Sequence, residues 1–205
     1  MRFVLTILML FGLCISKAQD ASLLNKLVDD LSKSCATIDY TYTARISGIN
    51  NAGSGTLVSQ GQMWNMVGNG VDMYCDGSAL WVLDQASKEA IIEPVGDEQD
   101  TDFLTNPARM VLALLDSYTI DTVNPSSDSK AIMYSLLPKT VSNIEYLNLE
   151  IMTDSALIRK MSFAMSDGSL VKIEVSSMKL TPMVSAEAFK PQIEFDSKWI
   201  VTDLR

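Results

Sequence analysis

The sequence contains no histidine among its 205 residues. This absence excludes Ser-His-Asp and Cys-His catalytic groups, an imidazole general base and zinc sites with histidine ligands. Cations are also scarce, since 16 Lys and Arg stand against 25 Asp and Glu and give a net charge of −9. Such an acidic chain is poorly suited to bind phosphate backbones or anionic membrane surfaces. We therefore expect no nucleic-acid partner.

Catalytic motifs that do not need histidine are missing as well. The sequence has no G-x-S-x-G turn, no G-x-x-x-x-G-K-[ST] phosphate loop and no G-x-G-x-x-G segment after a predicted strand. The acidic run at 97–102 lacks the alternation and the glycine of a calcium loop, and we interpret it as a solvated loop. A glycosidase-like pair of carboxylates stays open as an alternative. We expect a protein that is not an enzyme, with no catalytic residue, metal ligand or cofactor.

Long hydrophobic runs are limited to the N-terminus. Arg2 precedes an apolar run of 13 residues at 3–15, which is shorter than the roughly 20 residues that span a bilayer. Residues 16–18 (SKA) then place small side chains at the −3 and −1 positions of a cleavage site. This pattern predicts a secretory signal peptide at residues 1–18.

Cleavage at this site would leave 187 of the 205 residues, a length that suits one domain at 19–205. It would remove two cations and no acid, so the net charge would fall from −9 to −11. Cys35 and Cys75 would remain, and in an oxidising compartment they form either one disulfide or two buried free thiols. Cys14 gives the further alternative of an acylated lipoprotein, but the bulky Leu13 precedes it where that processing needs a small residue.

Hydrophobic periodicity predicts a mainly β chain with two helices. Apolar residues at helical spacing predict an amphipathic helix at 21–34, and Asn106-Pro107 predicts the start of a second helix that ends near residue 116. The Asn- and Gly-rich segment 48–55 is predicted as a turn. Alternating apolar and polar residues predict strands at 40–46, 56–59, 62–67, 71–75, 79–84, 88–93, 118–123, 130–137, 146–153, 158–165 and 170–176, with one or two closing strands in the tail.

Methionine is unusually frequent, with ten residues after position 18. Its flexible, polarizable side chain is over-used on surfaces that fit varied apolar partners. Two interpretations follow. The methionines either fill an ordinary core, or they line an apolar hollow between a bent sheet and its helices, which is a common form of ligand site.

Seven short landmarks follow one another along the chain after the predicted signal peptide. In order they are 38–44 (IDYTYTA), 55–57 (GTL), 76–81 (DGSALW), 106–107 (NP), 136–139 (LLPK), 167–168 (DG) and 201–205 (VTDLR). Their order and spacing resemble the bacterial outer-membrane lipoprotein carrier family, LolA. One segment differs. The resemblance implies an arginine just after the strand that begins at Gly55, where it helps to latch a helical lid, and this sequence has Gln60-Gly61-Gln62 there.

The resemblance implies a mainly β (α+β) fold, an incomplete antiparallel barrel of about eleven strands with a helical lid over an apolar hollow. It implies a periplasmic carrier that binds the acyl chains of lipoproteins or related lipids and moves them between the inner and outer membranes. The implied partners are this acylated cargo, an inner-membrane transporter and an outer-membrane acceptor. We expect a monomer without stable membrane insertion. The missing arginine makes cargo other than triacylated lipoproteins compatible with the sequence.

Sheet alternation selects the side chains that would line the hollow, although a shift of one residue in any strand would exchange lining for outer surface. The predicted lining residues are Trp64, Met66, Met73, Trp81, Leu83, Met133, Leu149, Ile151, Met161, Phe163 and Met165. The predicted lid residues are Leu27, Leu31, Met110 and Leu114. Two other functions stay open: a regulatory module that senses lipid or unassembled protein with the same half-barrel, and an envelope hydrolase that uses Asp or Glu.

Overall fold

The computed structural model describes residues 21–68, 70–95 and 114–205. Residues 21–32 form helix α1, Leu114–Ser117 form the short helix α2, and Ala186–Phe189 form a 3-10 turn. Within the described ranges, twelve strands join into one sheet. The strands are β1 (Cys35–Ile46), β2 (Ile49–Gln60), β3 (Met63–Val67), β4 (Val71–Cys75), β5 (Ala79–Asp84), β6 (Glu89–Pro94), β7 (Tyr118–Pro125), β8 (Ala131–Pro138), β9 (Ile144–Met152), β10 (Ile158–Met165), β11 (Leu170–Thr181) and β12 (Ile200–Asp203).

The sheet is open at both edges. Its strand order is β12-β6-β5-β4-β3-β2-β1-β11-β10-β9-β8-β7. Neighbouring strands are antiparallel except β12, which runs parallel to β6. The fold is the predicted one, a mainly β incomplete barrel with a helical cover, and it has twelve strands where about eleven were expected.

The hairpin of β1 and β2 is longer than its sequence suggests. The two strands pair along their whole length, and Ser47 and Gly48 alone form the turn. Both turn residues have positive φ, 50° and 79°, as a two-residue turn between twisted strands requires. The prediction of a turn over 48–55 is therefore wrong beyond Gly48. Pairing with β1 outweighs the low strand propensity of the Asn and Gly residues in this segment.

Helix α1 covers one face of the sheet, which we call the inner face. Leu24, Leu27 and Leu31 recur at helical spacing and are buried in one apolar cluster with side chains from β1 to β4 and β8 to β11. Leu114 of α2 belongs to the same cluster. Met110 and the predicted start of the second helix lie outside the described ranges. In the described part of the chain, no helix is both long enough and apolar enough to cross a bilayer.

We expect the centre of this cluster to control the stability of the fold. Leu149 in β9 is completely buried on the inner face, whereas Leu137 in β8 is 40% exposed. Leu149→Ala should lower the free energy of unfolding by about 2–5 kcal/mol, because it removes buried methyl groups and leaves a cavity. The matched control Leu137→Ala should lower it by less than about 1 kcal/mol. Urea denaturation followed by circular dichroism measures both, and equal losses would contradict this placement of the core.

Candidate functional site

A row of apolar side chains crosses the inner face over seven strands. The residues stand directly opposite one another in adjacent strands, so their side chains point to the same face. In the order β6, β5, β4, β3, β2, β1, β11 they are Ile91, Val82, Met73, Met66, Leu57, Ile38 and Met178. We call this set the apolar row.

Burial divides the apolar row into two halves. Leu57, Ile38 and Met178 are at most 9% exposed and belong to the cluster under α1. The other four residues form the open half: Met66, Met73 and Val82 are only partly buried, and Ile91 is 42% exposed. At a strand spacing of about 4.8 Å, these four residues span about 14 Å. A continuous apolar strip therefore leads from the covered core to an accessible part of the inner face.

A second row lies beside the open half and is less uniformly apolar. Trp64 in β3 stands between Ser59 in β2 and Cys75 in β4, and Leu80 in β5 stands opposite Cys75. The indole of Trp64 is 1% exposed, while Ser59 and Leu80 are partly buried. The residues of this row lie next to the turns at 61–62 and 76–78, so the row lies at one rim of the sheet.

Most of the predicted lining and lid residues lie on the inner face. The structure brings together Trp64, Met66, Met73, Leu149, Ile151, Met161, Phe163, Met165, Leu27, Leu31 and Leu114 in one cluster. Only Met66, Met73 and Met165 of this set are partly exposed. The other residues of this set are buried, and Met110 lies outside the described ranges.

Three predicted lining residues lie on the opposite face, which we call the outer face. Trp81 and Leu83 belong to a separate apolar cluster there, and Met133 stands opposite Glu150, one residue away from the inward pair of Tyr134 and Leu149. Strands β5 (ALWVLD) and β8 (AIMYSLLP) are apolar at consecutive positions. In such strands the sequence shows no alternation of apolar and polar residues that could identify the inward face. Only the pairing with neighbouring strands decides which side chains face inward.

The same ambiguity affects Val82 and Ile91, two residues of the apolar row that are not among the predicted lining residues. Val82 lies between Trp81 and Leu83 in an unbroken apolar run, and Ile91 lies next to Ile92. The register from β4 to β6 places Val82 and Ile91 inward and Ile92 outward. In β3 the sequence does indicate the inward face, because the polar Asn65 separates Trp64 from Met66 and so identifies these two as the inward pair.

Burial holds two titratable groups beside the apolar row in their neutral forms. Burial raises the pKa of the Cys75 thiol, and burial followed by the nearby Tyr42 raises the pKa of the Tyr40 hydroxyl. Both groups therefore stay protonated at neutral pH. In the described ranges, no three His, Cys, Asp or Glu side chains come together as a metal site. The inner face offers apolar contact and a few neutral polar groups, with the exposed carboxylates of Glu89 and Glu93 on either side of Ile91 in β6.

Both cysteines after the predicted signal peptide are free and buried. Cys35 begins β1 and Cys75 ends β4, three strands away, which corresponds to about 14 Å. Ala36, the neighbour of Cys35, shares the inner face with Cys75, so the Cys35 side chain points to the outer face. A disulfide needs Cα atoms within about 7 Å, and this fold therefore keeps two thiols.

The outer face has its own cover, a C-terminal segment at 182–199 that we call the strap. Phe195 and Trp199 of the strap pack on Trp81, Leu83 and their neighbours in the outer cluster. The rings of Phe195 and Trp199 meet edge to face at 5.4 Å, and Lys88 Nζ lies 4.9 Å from the centre of the Trp199 ring. The tryptophan of the DGSALW landmark therefore anchors the strap.

Gln60 fixes the start of the strap. Its amide donates from Nε2 to the Val184 carbonyl oxygen at 2.9 Å and accepts at Oε1 from the Val184 amide at 2.7 Å. The side chain is buried, so both of its polar ends are satisfied where water is excluded. Asn65 Nδ2 donates to the Ala188 carbonyl oxygen at 3.5 Å and adds a second attachment.

The arrangement of an open sheet, a helical cover and an apolar inner face agrees with a sequence match. The family described as outer membrane lipoprotein carrier protein LolA matches residues 64–192, which is more than half of the chain. The chain belongs to the LolA family. In the Gln60-Gly61-Gln62 segment, where the family resemblance would place an arginine, this LolA-type module uses Gln60 to hold the strap.

Solved structures show similarity to the same fold at low sequence identity. An uncharacterized conserved protein from Thermus thermophilus is 12% identical, with a TM-score of 0.56 over 91% of this chain and 99% of that chain. A LolA superfamily protein from Nitrosomonas europaea is 12% identical, with a TM-score of 0.42 over 84% and 97% of the two chains. The MucA/MucB complex of Pseudomonas aeruginosa gives 11% identity and a TM-score of 0.37 over 84% and 61%.

The first of these similarities concerns the fold alone, and the other two are too distant to add to it. No curated protein matches the sequence significantly.

Removing the Gln60 amide should loosen the strap. Gln60→Ala should lower the free energy of unfolding by about 1–3 kcal/mol, because the Val184 amide and carbonyl lose their partner. Hydrogen exchange at the Val184 amide should become faster. The control Gln62→Ala changes an exposed glutamine two residues away and should leave both measurements unchanged. Slow exchange at Val184 in the Gln60 variant would show that the strap is held by other contacts.

Asp76 should make the stability depend on pH. Its carboxylate accepts hydrogen bonds at 2.9 Å from the Ser78 and Ala79 amides and at 2.7 Å from the Ser78 hydroxyl. Burial raises the pKa of Asp76, but these hydrogen bonds outweigh burial and hold the pKa below its usual value. A lowered pKa in the folded state stabilises the protein above the pKa of the unfolded chain, and this contribution is lost as the pH falls through the folded pKa.

Asp76→Asn should therefore be less stable than the original protein at pH 7, by roughly 1 kcal/mol, because charged acceptors make stronger hydrogen bonds. The difference should shrink as the pH falls below the ordinary aspartate range, about pH 4, and disappear once Asp76 is protonated. Urea denaturation over this pH range measures it, with Asp154→Asn at an exposed position as the control. A difference that is the same at pH 7 and at low pH would contradict a role for the charge.

Proposed function

We propose that this protein is a periplasmic carrier that binds the acyl chains of lipoproteins or related lipids on its inner face. It moves them between the inner and outer membranes without chemical change. The observation that supports this most directly is the apolar row, which runs from the buried core under α1 to the accessible open half on β3 to β6. In an ordinary core, the apolar side chains stop where the covering helix stops. A binding face needs apolar side chains that continue into the accessible part of the sheet.

The dimensions of the open half suit an acyl chain. The hydrocarbon core of a bilayer is about 30 Å thick, so a chain in one leaflet spans roughly 15 Å. The open half spans about 14 Å across four strands. Two of its four side chains are Met, which is flexible and can adapt to a hydrocarbon chain. The other two, Val82 and Ile91, add apolar contact surface.

The energetics of carriage require such a face. Each methylene removed from water contributes about 0.8 kcal/mol, so a sixteen-carbon chain with about 15 methylenes is held in a membrane by roughly 12 kcal/mol. A carrier that diffuses through water must replace most of this burial with its own apolar surface. Handover to an acceptor then needs only a modest difference in affinity between successive partners.

The rest of the proposal follows the family resemblance. Residues 1–18 are a cleaved signal peptide, and 19–205 form a single carrier domain that acts as a monomer. An inner-membrane transporter loads it and an outer-membrane acceptor unloads it. Because Gln60 is engaged by Val184 on the outer face, it is not available to latch the lid on the inner face. We propose that loading here is controlled by other contacts, and that the cargo extends beyond triacylated lipoproteins.

The test compares two faces of one strand. Met66 faces inward in the open half, and Val67, the next residue, faces outward and is 41% exposed. Met66→Gln combined with Met73→Gln should weaken the binding of an environment-sensitive apolar dye about tenfold, because amides replace apolar contact surface. Val67→Gln should change the affinity by less than about twofold, since this side chain lies on the other face.

The protein purified without detergent should also carry acyl species that appear in a lipid extract analysed by mass spectrometry. The dye should be displaced by such an extract. If the purified protein holds no acyl species and binds no displaceable dye, the carrier function is wrong.

A further inference from the structure

The indole N–H of Trp64 has no hydrogen-bond acceptor in the described part of the chain, although the side chain is 1% exposed. Buried polar groups in native proteins nearly always have a partner, and an orphaned donor is costly. The indole ring packs in the inner-face cluster. The fold therefore retains a donor that its own described residues do not use.

Trp64 lies beside the open half of the apolar row. Met66 is two residues further along β3 on the same face, and Met73 is directly opposite Met66 in β4. Trp64 is also the second residue of β3 and follows the turn at 61–62, where Gln62 is exposed. A ligand group bound at Trp64 is thus close both to an apolar strip and to a solvent-exposed rim.

We propose that Trp64 Nε1 donates a hydrogen bond to the carbonyl oxygen of an acyl ligand whose hydrocarbon chain lies along the open half. This inference rests on the proposed function and sharpens it, because the ligand is then an acyl ester or amide and not any long alkyl chain. The carbonyl marks the head end of an acyl chain. When the carbonyl is bound at the rim, the polar head group of the ligand can extend into solvent at the turn at 61–62.

The charges around the open half favour a neutral acyl group over a free fatty acid. Glu89 and Glu93 lie on either side of Ile91 and share its face, and both are exposed. A carboxylate ligand would be repelled by these groups, whereas an ester or amide carbonyl would not. The same carbonyl chemistry occurs in glycerol esters and in acylated proteins.

The experiment uses two amphiphiles that differ in one group. 1-Dodecanoylglycerol has an ester carbonyl, and 1-O-dodecylglycerol has the same chain and head group joined by an ether. The original protein should bind the ester about tenfold more tightly by titration calorimetry, which corresponds to about 1.4 kcal/mol. Trp64→Phe keeps the aromatic bulk without the N–H, so it should bind both amphiphiles with similar affinity. The control Trp81→Phe, on the outer face, should retain the tenfold preference.

A second measurement does not depend on the variant being well folded. In an ¹⁵N correlation spectrum, the Trp64 indole N–H resonance, assigned by its loss in Trp64→Phe or by triple-resonance methods, should move downfield with the ester and not with the ether. Dodecanoate is the third ligand, and it should bind more weakly than the ester. Tighter binding of dodecanoate would assign the carbonyl to a free fatty acid and overturn the choice of an ester or amide.

Equal binding of ester and ether by the original protein, or an indole resonance that the ester does not move, would overturn the role of Trp64. The proposed carrier function would survive that result, since both ligands would still be bound. Failure of every amphiphile to bind would overturn the carrier function and the role of Trp64 together.

Discussion

The fold is built around a sheet whose strands β3 to β6 carry apolar side chains on both faces. In β5 the apolar side chains run consecutively, so Leu80 and Val82 point inward while Trp81 and Leu83 point outward. Apolar surface on two sides of one sheet needs two separate covers. The strap meets this need on the outer face, and α1 with α2 meets it over much of the inner face.

The two covers differ in how completely they close. The strap is tied by Gln60 to the backbone of Val184 and ends in β12, which extends the sheet beside β6. On the inner face, burial decreases along the apolar row from Leu57 to Ile91. This difference gives the molecule a closed side and an accessible side. The proposed carrier function requires the accessible side, because a bound acyl chain must be able to leave.

Charged side chains and the apolar inner face are largely separated in this acidic chain. Most charged side chains lie on the outer face, on the exposed side of α1 and at rims such as Glu89 and Glu93. Between these rims, the inner face offers the protonated Cys75 thiol, the neutral Tyr40 hydroxyl and, among the described residues, an indole N–H without an acceptor. Under the proposed function, ligands would be distinguished by shape, by hydrogen bonding and by the charge at the rims.

The kind of fold could be predicted from the sequence alone. Turn residues and alternation in strands such as β3 (MWNMV) located nearly every strand, and helical spacing located α1. The sequence did not determine the orientation of β5 and β8, because their consecutive apolar residues fit either face. The orientation follows from pairing in the folded sheet, because the register with β4 and β9 fixes which side chains point inward. The same pairing turned Trp81 into an anchor for the strap and placed Val82 and Ile91 in the candidate binding face.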